Sequence, residues 1–413
     1  MSNHKYLFSQ CAGLLGNIIE HKDKALFALL TPFIAGQFFP SEDYVVSLIE
    51  MYGILVLTIL VKPFGSFAFG RMADQEGRKK ALLLSMYGMS FATLGIGVLP
   101  SYHSIGYFAP ALMFLLRCAQ NFFSAAEPTN GAVYLLENCN KKWRAFASSL
   151  FEASSMVGIL MASVETTIFA YFEWLELYWQ WLFIFSGGLG FLCTIWRDYA
   201  IESLEISSHS VRIKELWKYR KTLFSVAIMT AFSYATYLFS LTFINGYLMA
   251  SSSLSSLQLT SLNTLLSFFD LVALPIFGYL ALHVSPKRLM CLAPMILGIL
   301  ALPLFIWMRS YETALVVLIV RVVIVLCGVC FIAPYRALLQ ETVTTSRCTL
   351  LNVGGTIGQI FAQGPMALLC LGALHYQLWF LPAVILALLS FITSFVVWKL
   401  SRKEAQEVVY TDP

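Results

Sequence analysis

The first long apolar run of the chain carries four charged side chains, Glu20, Lys22, Asp23 and Lys24. One charge at the centre of a bilayer costs about 2.5–3.5 kcal/mol on insertion scales, so four facing lipid would cost on the order of 10 kcal/mol. The charges must therefore pair or line a wet cavity. Asn17, Glu20, Lys24 and Phe27 share one helix face, which Asp23 borders. The pattern indicates either a site for a solute or a proton, or a structural network of ion pairs.

A second polar face lies in a later apolar run and consists of Arg117, Gln120, Asn121 and Ser124. Arginine stays charged in proteins, so a buried Arg117 could hold a carboxylate of a solute or favour ionisation of a neighbouring acid. The alternative is that Arg117 only pairs with a structural acid.

Further ionisable groups occur inside apolar runs at Glu152, Glu165, Asp270 and Arg321. Arg321 would need an acid partner, and Asp270 is the candidate. For Glu152 and Asp270 we expect contact with a solute or a proton, or else structural pairing. Tyr237, Thr242 and Asn245 are candidate cavity residues, although tyrosine in a span more often serves packing.

A polar hairpin, GRMADQEGRKK from Gly70 to Lys80, separates two apolar runs. We expect Asp74 to accept hydrogen bonds from helix-start amides and from an arginine, so that Asp74, Arg78 and Lys79 latch one conformation. The alternative is a solvated turn whose charges only fix topology. The predicted companion pairs at this side of the membrane are Glu137 with Arg144 and Glu341 with Arg347.

Composition places the chain among helical membrane proteins. Hydrophobic residues make up 58% and charged residues 12%, with a mean hydropathy of +0.73, whereas soluble domains carry about 25% charged residues. A span needs about 20 mostly apolar residues. Twelve runs qualify, at roughly 11–36, 46–70, 81–100, 107–136, 145–172, 178–196, 222–249, 258–282, 289–308, 312–338, 349–373 and 377–398.

Loop charge predicts the orientation of these spans. Of 27 Lys and Arg residues, 21 lie in the even-numbered loops and the tails, and Arg309 is the only one in the odd-numbered loops. Because cytoplasmic loops carry the excess of bases, both termini are predicted to be cytoplasmic. The net charge of +4 thus reflects topology and gives no support to nucleic-acid binding. The charges in the first run also argue against a cleaved signal peptide.

The sequence predicts neither an enzyme nor a bound cofactor or metal. Cys327 and Cys330 form a CxxC inside an apolar run without a second pair, which is typical of core thiols. No Ser-His-Asp set or phosphate-binding loop stands out.

The chain divides into two similar halves. Arg117 and Arg321 lie 204 residues apart, as do Glu137 and Glu341. We therefore predict a six-helix bundle at 1–196, a cytoplasmic linker at 197–221, and a second bundle with a short tail at 222–413. Parallel repeats with a site between them are typical of secondary transporters.

Several motifs carry a family resemblance. The stretch GNIIEHKD (16–23) resembles GNxxEWYDF, Lys62 to Gly65 resembles RPxG, and RCAQNFFSAAE (117–127) resembles RxxQGFSxGGE. Together with the hairpin, these motifs resemble the metabolite:proton symporter family of the major facilitator superfamily. The resemblance implies twelve helices in two pseudo-symmetric bundles and a monomer in a bacterial inner membrane. It also implies proton-coupled symport by alternating access, with Arg117 and Glu127 as coupling residues.

The solute implied by the resemblance is a zwitterion such as proline or betaine, ranked slightly ahead of 2-oxoglutarate. A non-transporting membrane sensor is a weaker alternative. His21, Lys22 and Lys24 replace aromatic positions of the family motif, and aromatic rings are what would hold a quaternary ammonium. The two lysines, with Arg117, favour a carboxylate instead.

Overall fold

The computed structural model describes residues 3–200, 211–244, 256–311, 313–343, 345–363, 365–376 and 378–411. Within these ranges the regular structure is helical throughout. The side chain of Thr242 and the whole of Asn245 lie outside the described residues.

The helices follow the apolar runs of the sequence. They are α1 (Asn3–Phe38), α2 (Tyr44–Thr58), α3 (Lys62–Glu76), α4 (Arg78–Gly97), α5 (Tyr102–Ile105), α6 (Phe108–Ser124), α7 (Ala132–Glu137), α8 (Arg144–Tyr171), α9 (Leu175–Asp198), α10 (Arg220–Tyr237), α11 (Ser256–His283), α12 (Pro286–Ser310), α13 (Ala314–Ile332), α14 (Tyr335–Thr342), α15 (Arg347–Gln363), α16 (Pro365–His375) and α17 (Leu381–Thr411).

Eight helical stretches of the described residues are long and apolar enough to cross a membrane. The other four predicted spans coincide with α1, with α4, with α6 and α7, and with α15 and α16. In these four, charged or polar residues or a helix break interrupt the apolar run. The all-helical membrane fold predicted from the sequence is confirmed.

Three irregular turns interrupt the apolar runs. A 3₁₀ turn (Ile59–Val61) joins α2 to α3. A π-helical turn (Glu127–Gly131) joins α6 to α7, and a second (Leu238–Phe243) follows α10. The 3₁₀ turn is tighter than an α-helical turn, whereas the two π-helical turns are wider, shift the helix register and recur at functional sites.

The chain forms two compact units. The first comprises Met1–Asn140, Ser154–Leu216 and Thr345–Thr356, and the second comprises Lys141–Ala153, Trp217–Thr344 and Ile357–Pro413. The helices α8 and α15 thus each contribute to both units. A division at the predicted linker 197–221 stays a prediction.

Apolar packing in the first unit centres on α1 and α9. Phe27, Phe38, Trp179 and Phe183 are buried in one cluster, with edge-to-face contacts between their rings. Aromatic packing of this kind fixes how α1 faces α9 and so orients the charged side chains of α1.

Candidate functional site

A chain of hydrogen bonds connects Arg117 to Asp23 within the first unit. The Arg117 guanidinium donates to the side-chain oxygen of Gln120. The Gln120 amide donates to the Thr93 hydroxyl (2.8 Å), which donates to Asp23 Oδ2 (2.7 Å). Ser186 donates to the other oxygen of Asp23. Side chains of α4 and α9 thus donate to one buried carboxylate of α1 through neutral hydroxyls, and α6 is linked to it through Thr93.

Arg117 is a buried charge of this cluster whose side chain contacts neutral groups. It is 4% exposed, and its guanidinium lies over the Phe27 ring at 3.9 Å from the centroid. Among the described residues no carboxylate pairs with it, and its Nε has no hydrogen-bond partner. A buried arginine satisfied by an amide and a ring leaves donors available for an anion.

Glu20 and Lys24 form the ion pair that their i,i+4 spacing predicts. His21 Nδ1 lies 2.9 Å from the other oxygen of Glu20. The Glu20 side chain is fully buried, whereas that of Lys24 is 28% exposed. The ammonium of Lys62, from the first turn of α3, comes within hydrogen-bonding reach of Lys24.

Lys22 lies on another face of α1 from Lys24. Two residues rotate a helix by about 200°, so the two lysines point apart. Lys22 pairs with Glu165 of α8 at 2.9 Å and lies 4.8 Å from the centre of the Phe185 ring. The sequence suggests that Lys22, Lys24 and Arg117 together bind a carboxylate. The contacts of Lys22 do not favour this arrangement.

Asn17 anchors α1 to α8. Its amide nitrogen donates to the hydroxyls of Ser154 and Ser155, both at 2.8 Å. A Cβ at Gly158, one turn further along α8, would overlap the carbonyl of Ile18. The close helix contact explains why Asn17 is fully buried.

The structure gives Glu127 a partner that sequence reasoning missed. Arg197, at the end of α9, binds both carboxylate oxygens at 2.6 and 2.9 Å and also donates to the Ala12 carbonyl. Glu127 lies ten residues beyond Arg117, which is about 15 Å along a helix. Its contacts are therefore with Arg197, and they do not support the expectation that Glu127 acts beside Arg117. A Cβ at Gly16 would overlap the ion pair.

The expected pairing of Arg321 with Asp270, in the second unit, is wrong. Arg321 donates to the Ser240 carbonyl in the π-helical turn at 2.5 Å and to the Asn263 side chain. Asn263 precedes Asp270 by two turns of α11, about 10 Å, so it reaches Arg321 where Asp270 does not. Asp270 instead accepts from the Tyr237 hydroxyl at 3.0 Å, which gives Tyr237 a polar role.

Glu152 also has a partner that the sequence did not indicate. Arg336 Nε donates to Glu152 Oε1 at 2.6 Å, and the Arg336 amide donates to Ser148. Arg197 and Arg336 both stand at the end of an apolar run, where sequence analysis counts a base as a loop charge. Their burial is visible only in the structure.

Asp74 contacts the start of α15, in the first unit. Its oxygens accept from the amides of Cys348 (3.0 Å) and Thr349 (2.9 Å) and from the Thr349 hydroxyl (2.7 Å). A Cβ at Gly70 would crowd the backbone at Thr349, so glycine permits the approach. These are helix-start amides, the kind of partner that the sequence predicts for Asp74.

Two arginines share Glu137 near this contact. Arg78 and Arg347 donate to the same carboxylate oxygen at 3.2 and 3.1 Å. Burial alone would lower the pKa of the Arg78 guanidinium, but neighbouring negative charge, including that of Glu137, raises the pKa above its ordinary value. Lys79 lies 3.4 Å from Asp198.

Arg144 and Glu341 belong to the second unit, and Glu341 is exposed. The predicted pairs of Glu137 with Arg144 and of Glu341 with Arg347 stay predictions, as do the gating roles.

Comparison with known proteins identifies related transporters. A family model described as Major Facilitator Superfamily matches residues 23–246. The alpha-ketoglutarate permease of Escherichia coli (strain K12) is 26% identical over 297 residues, 70% of this chain and 69% of the permease. The proline/betaine transporter of the same strain is 25% identical over 326 residues, 74% of this chain and 65% of that protein, just under two thirds of its length.

Solved structures match over almost the whole chain. The proton:xylose symporter XylE superposes with a TM-score of 0.79 at 9% identity, covering 97% of this chain and 96% of XylE. The human organic anion transporter MFSD10 superposes with a TM-score of 0.72 at 12% identity, covering 96% and 100%. At this identity the likeness establishes the fold of twelve helices in two bundles.

Proposed function

This chain belongs to the Major Facilitator Superfamily, and on that premise we propose that it is a proton-coupled symporter of small organic carboxylates. As a member of that family it is a multi-pass membrane transporter and not an enzyme. We further propose that it works as a monomer in a bacterial inner membrane, with both termini in the cytoplasm.

One observation carries the solute class: Arg117 is buried without a carboxylate partner among the described residues. Leaving a charge buried and unpaired costs several kcal/mol. Charge-assisted bonds from a guanidinium to a carboxylate are about twice as strong as neutral hydrogen bonds, so a solute carboxylate is the natural occupant. Lys24 and Lys62 add positive charge to the same cluster, with Glu20 offsetting one of them.

Proton coupling is best supported at Asp23. Glu20 is held by Lys24 and His21, and Glu127 is held by Arg197 through two hydrogen bonds. Protonating either acid would break an ion pair and leave its basic partner without a counter-ion. Asp23 accepts hydrogen bonds from the hydroxyls of Thr93 and Ser186, and among the described residues its protonation breaks no direct ion pair.

The relay through Thr93 and Gln120 then gives a physical link between the proton and the solute. A proton on Asp23 turns one of its oxygens from an acceptor into a donor, which reorients the Thr93 hydroxyl. The Gln120 side chain then reorients as well, and this changes which N–H groups of Arg117 are available to the solute. Occupied proton and solute sites would together permit the rocking step of alternating access.

Within this class we favour a dicarboxylate such as 2-oxoglutarate over proline or betaine. The alpha-ketoglutarate permease is among the relatives. A quaternary ammonium would need an open aromatic face, and the Phe27 ring is covered by Arg117. The second candidate is the zwitterion, favoured by the names of the proline/betaine relatives, whose own carboxylate could also bind Arg117.

The experiment is uptake of labelled solutes in bacteria that lack their own proline, betaine and 2-oxoglutarate carriers. We expect uptake of 2-oxoglutarate that a protonophore abolishes. Protonophore-sensitive uptake of proline or betaine alone would support the second candidate. Binding without flux would favour a sensor and refute transport.

The proton site has its own test in proteoliposomes. Asp23→Asn should lose accumulation of the solute against a gradient but keep exchange of internal for external solute, because exchange needs no net proton movement. Thr167→Ala, at an exposed residue of α8 whose hydroxyl donates to the Ser163 carbonyl of its own helix, is the control and should keep both activities. Accumulation by Asp23→Asn at the wild-type level would refute the assignment of the proton to Asp23.

A further inference from the structure

Lys62 is a buried base for which the sequence offers no function beyond its place in a motif. Its residue is 4% exposed, and it opens α3 directly after the 3₁₀ turn Ile59–Val61. Among the described residues no acid pairs with it. Its neighbours are themselves cationic: Lys24 lies within hydrogen-bonding reach, and the charge of Arg117 acts on it as well.

Tight packing holds Lys62 in this position. A Cβ at Gly65, one turn further along α3, would overlap the carbonyl of Phe122 in α6. One turn before Lys62, Thr58 accepts a hydrogen bond from Asn121, also in α6, at 3.0 Å. The chain therefore contacts α6 on both sides of Lys62, at Thr58 before it and at Gly65 after it. Lys62 therefore stays near Lys24 and Arg117 instead of extending away from them.

Two adjacent bases without an acid between them are costly inside a protein. Like charges at close range each disfavour the charged form of the other, and burial adds to this penalty. Glu20 compensates for Lys24, but it lies on α1 and is shared with His21. An anion that contacts both ammonium groups would relieve the excess positive charge at Lys62.

We propose that Lys62, together with Lys24, binds a second carboxylate of the solute, and so makes the carrier selective for dianions over monoanions. This inference rests on the proposed function, in which Arg117 binds the first carboxylate. Arg117 offers a flat guanidinium and the lysines offer two point charges, which suits a short chain with a carboxylate at each end. The proposal adds a specificity-determining residue that the sequence motifs do not mark as one.

The test measures binding to the purified, detergent-solubilised chain by isothermal titration calorimetry, with glutarate as the dianion and butyrate as the matched monoanion. We expect wild-type protein to prefer glutarate by tenfold or more. Lys62→Met should weaken glutarate binding by about 10- to 100-fold, the range for one charge-assisted contact, and change butyrate binding by less than about threefold. Lys62→Arg should restore the preference.

Lys141→Met, at an exposed lysine before α8, is the matched control and should leave both affinities unchanged. The melting temperature of the Lys62→Met sample, measured without either acid, shows whether that variant is folded. If Lys62→Met weakens both acids equally, or neither, the assignment of Lys62 is refuted while the proposed function stands. If wild-type protein binds neither acid nor 2-oxoglutarate, the proposed function fails and the Lys62 assignment with it.

Discussion

The ion pair between Glu127 and Arg197 should be the strongest single electrostatic contact in the first unit. Both side chains are almost fully buried, and the guanidinium binds the two carboxylate oxygens at 2.6 and 2.9 Å. Removing one partner of such a pair leaves an uncompensated charge, which costs about 3–5 kcal/mol. Glu127→Leu and Arg197→Met should each lower the free energy of unfolding by that amount.

The double variant should lose far less free energy of unfolding than the two single variants lose in sum. Replacing a buried pair by apolar side chains of similar volume is often close to neutral, and here the Ala12 carbonyl alone loses its donors, at about 1–3 kcal/mol. The cycle should therefore yield a coupling energy of at least about 2 kcal/mol.

Equilibrium unfolding in mixed micelles, followed by tryptophan fluorescence, measures the four proteins of the cycle. The control is the exposed pair of Lys80 with Glu76, where Lys80→Met should change stability by less than about 1 kcal/mol. A double variant as destabilised as the two single variants together would refute the idea that Glu127 and Arg197 form a mutually dependent pair. Full symport by the double variant would further show that Glu127 is structural and carries no proton.

Two other predictions concern backbone contacts. Gly16→Ala should lower the melting temperature by several degrees because the added Cβ would overlap the buried ion pair. Gly13→Ala is the control and should not lower it, because the nearest atom to its added Cβ lies at 3.6 Å. Equal melting temperatures of the two variants would contradict this account. Asp74→Ala should speed maleimide labelling of Cys348 in a variant without other cysteines, because Cys348 is fully buried beside the carboxylate that holds its amide. Unchanged labelling would show that Asp74 does not hold the start of α15.

The helices and the polar side chains of α1 and α6 could be predicted from the sequence because both follow from local patterns. Apolar runs of membrane length must form helices in lipid, where every backbone group needs an internal partner. Charges inside those runs are expensive, so Glu20, Asp23 and Arg117 stand out at once. The i,i+4 spacing of Glu20 and Lys24 also predicts their ion pair.

Partners across helices could not be predicted in this way. Lys22 and Lys24 look equivalent in the sequence, yet packing sends Lys22 to Glu165 of another helix. Arg321 binds a carbonyl in a π-helical turn and an asparagine, because the turn frees that carbonyl and Asp270 lies two turns too far along its helix. Such choices depend on helix rotation and on register shifts, which local patterns do not encode.

The sequence by itself determined that this chain is a helical membrane protein with two similar halves and an unusual set of buried charges. Hydrophobicity is a property of single residues, and in lipid an apolar run of sufficient length must form a helix. The tertiary structure alone decided which of those charges are already compensated. Arg197 is a buried partner of Glu127 and Arg336 a partly buried partner of Glu152, whereas Arg117 and Lys62 have no acid partner among the described residues. Pairing is decided by distances of a few ångströms between helices far apart in the chain, and such distances cannot be read from the order of residues.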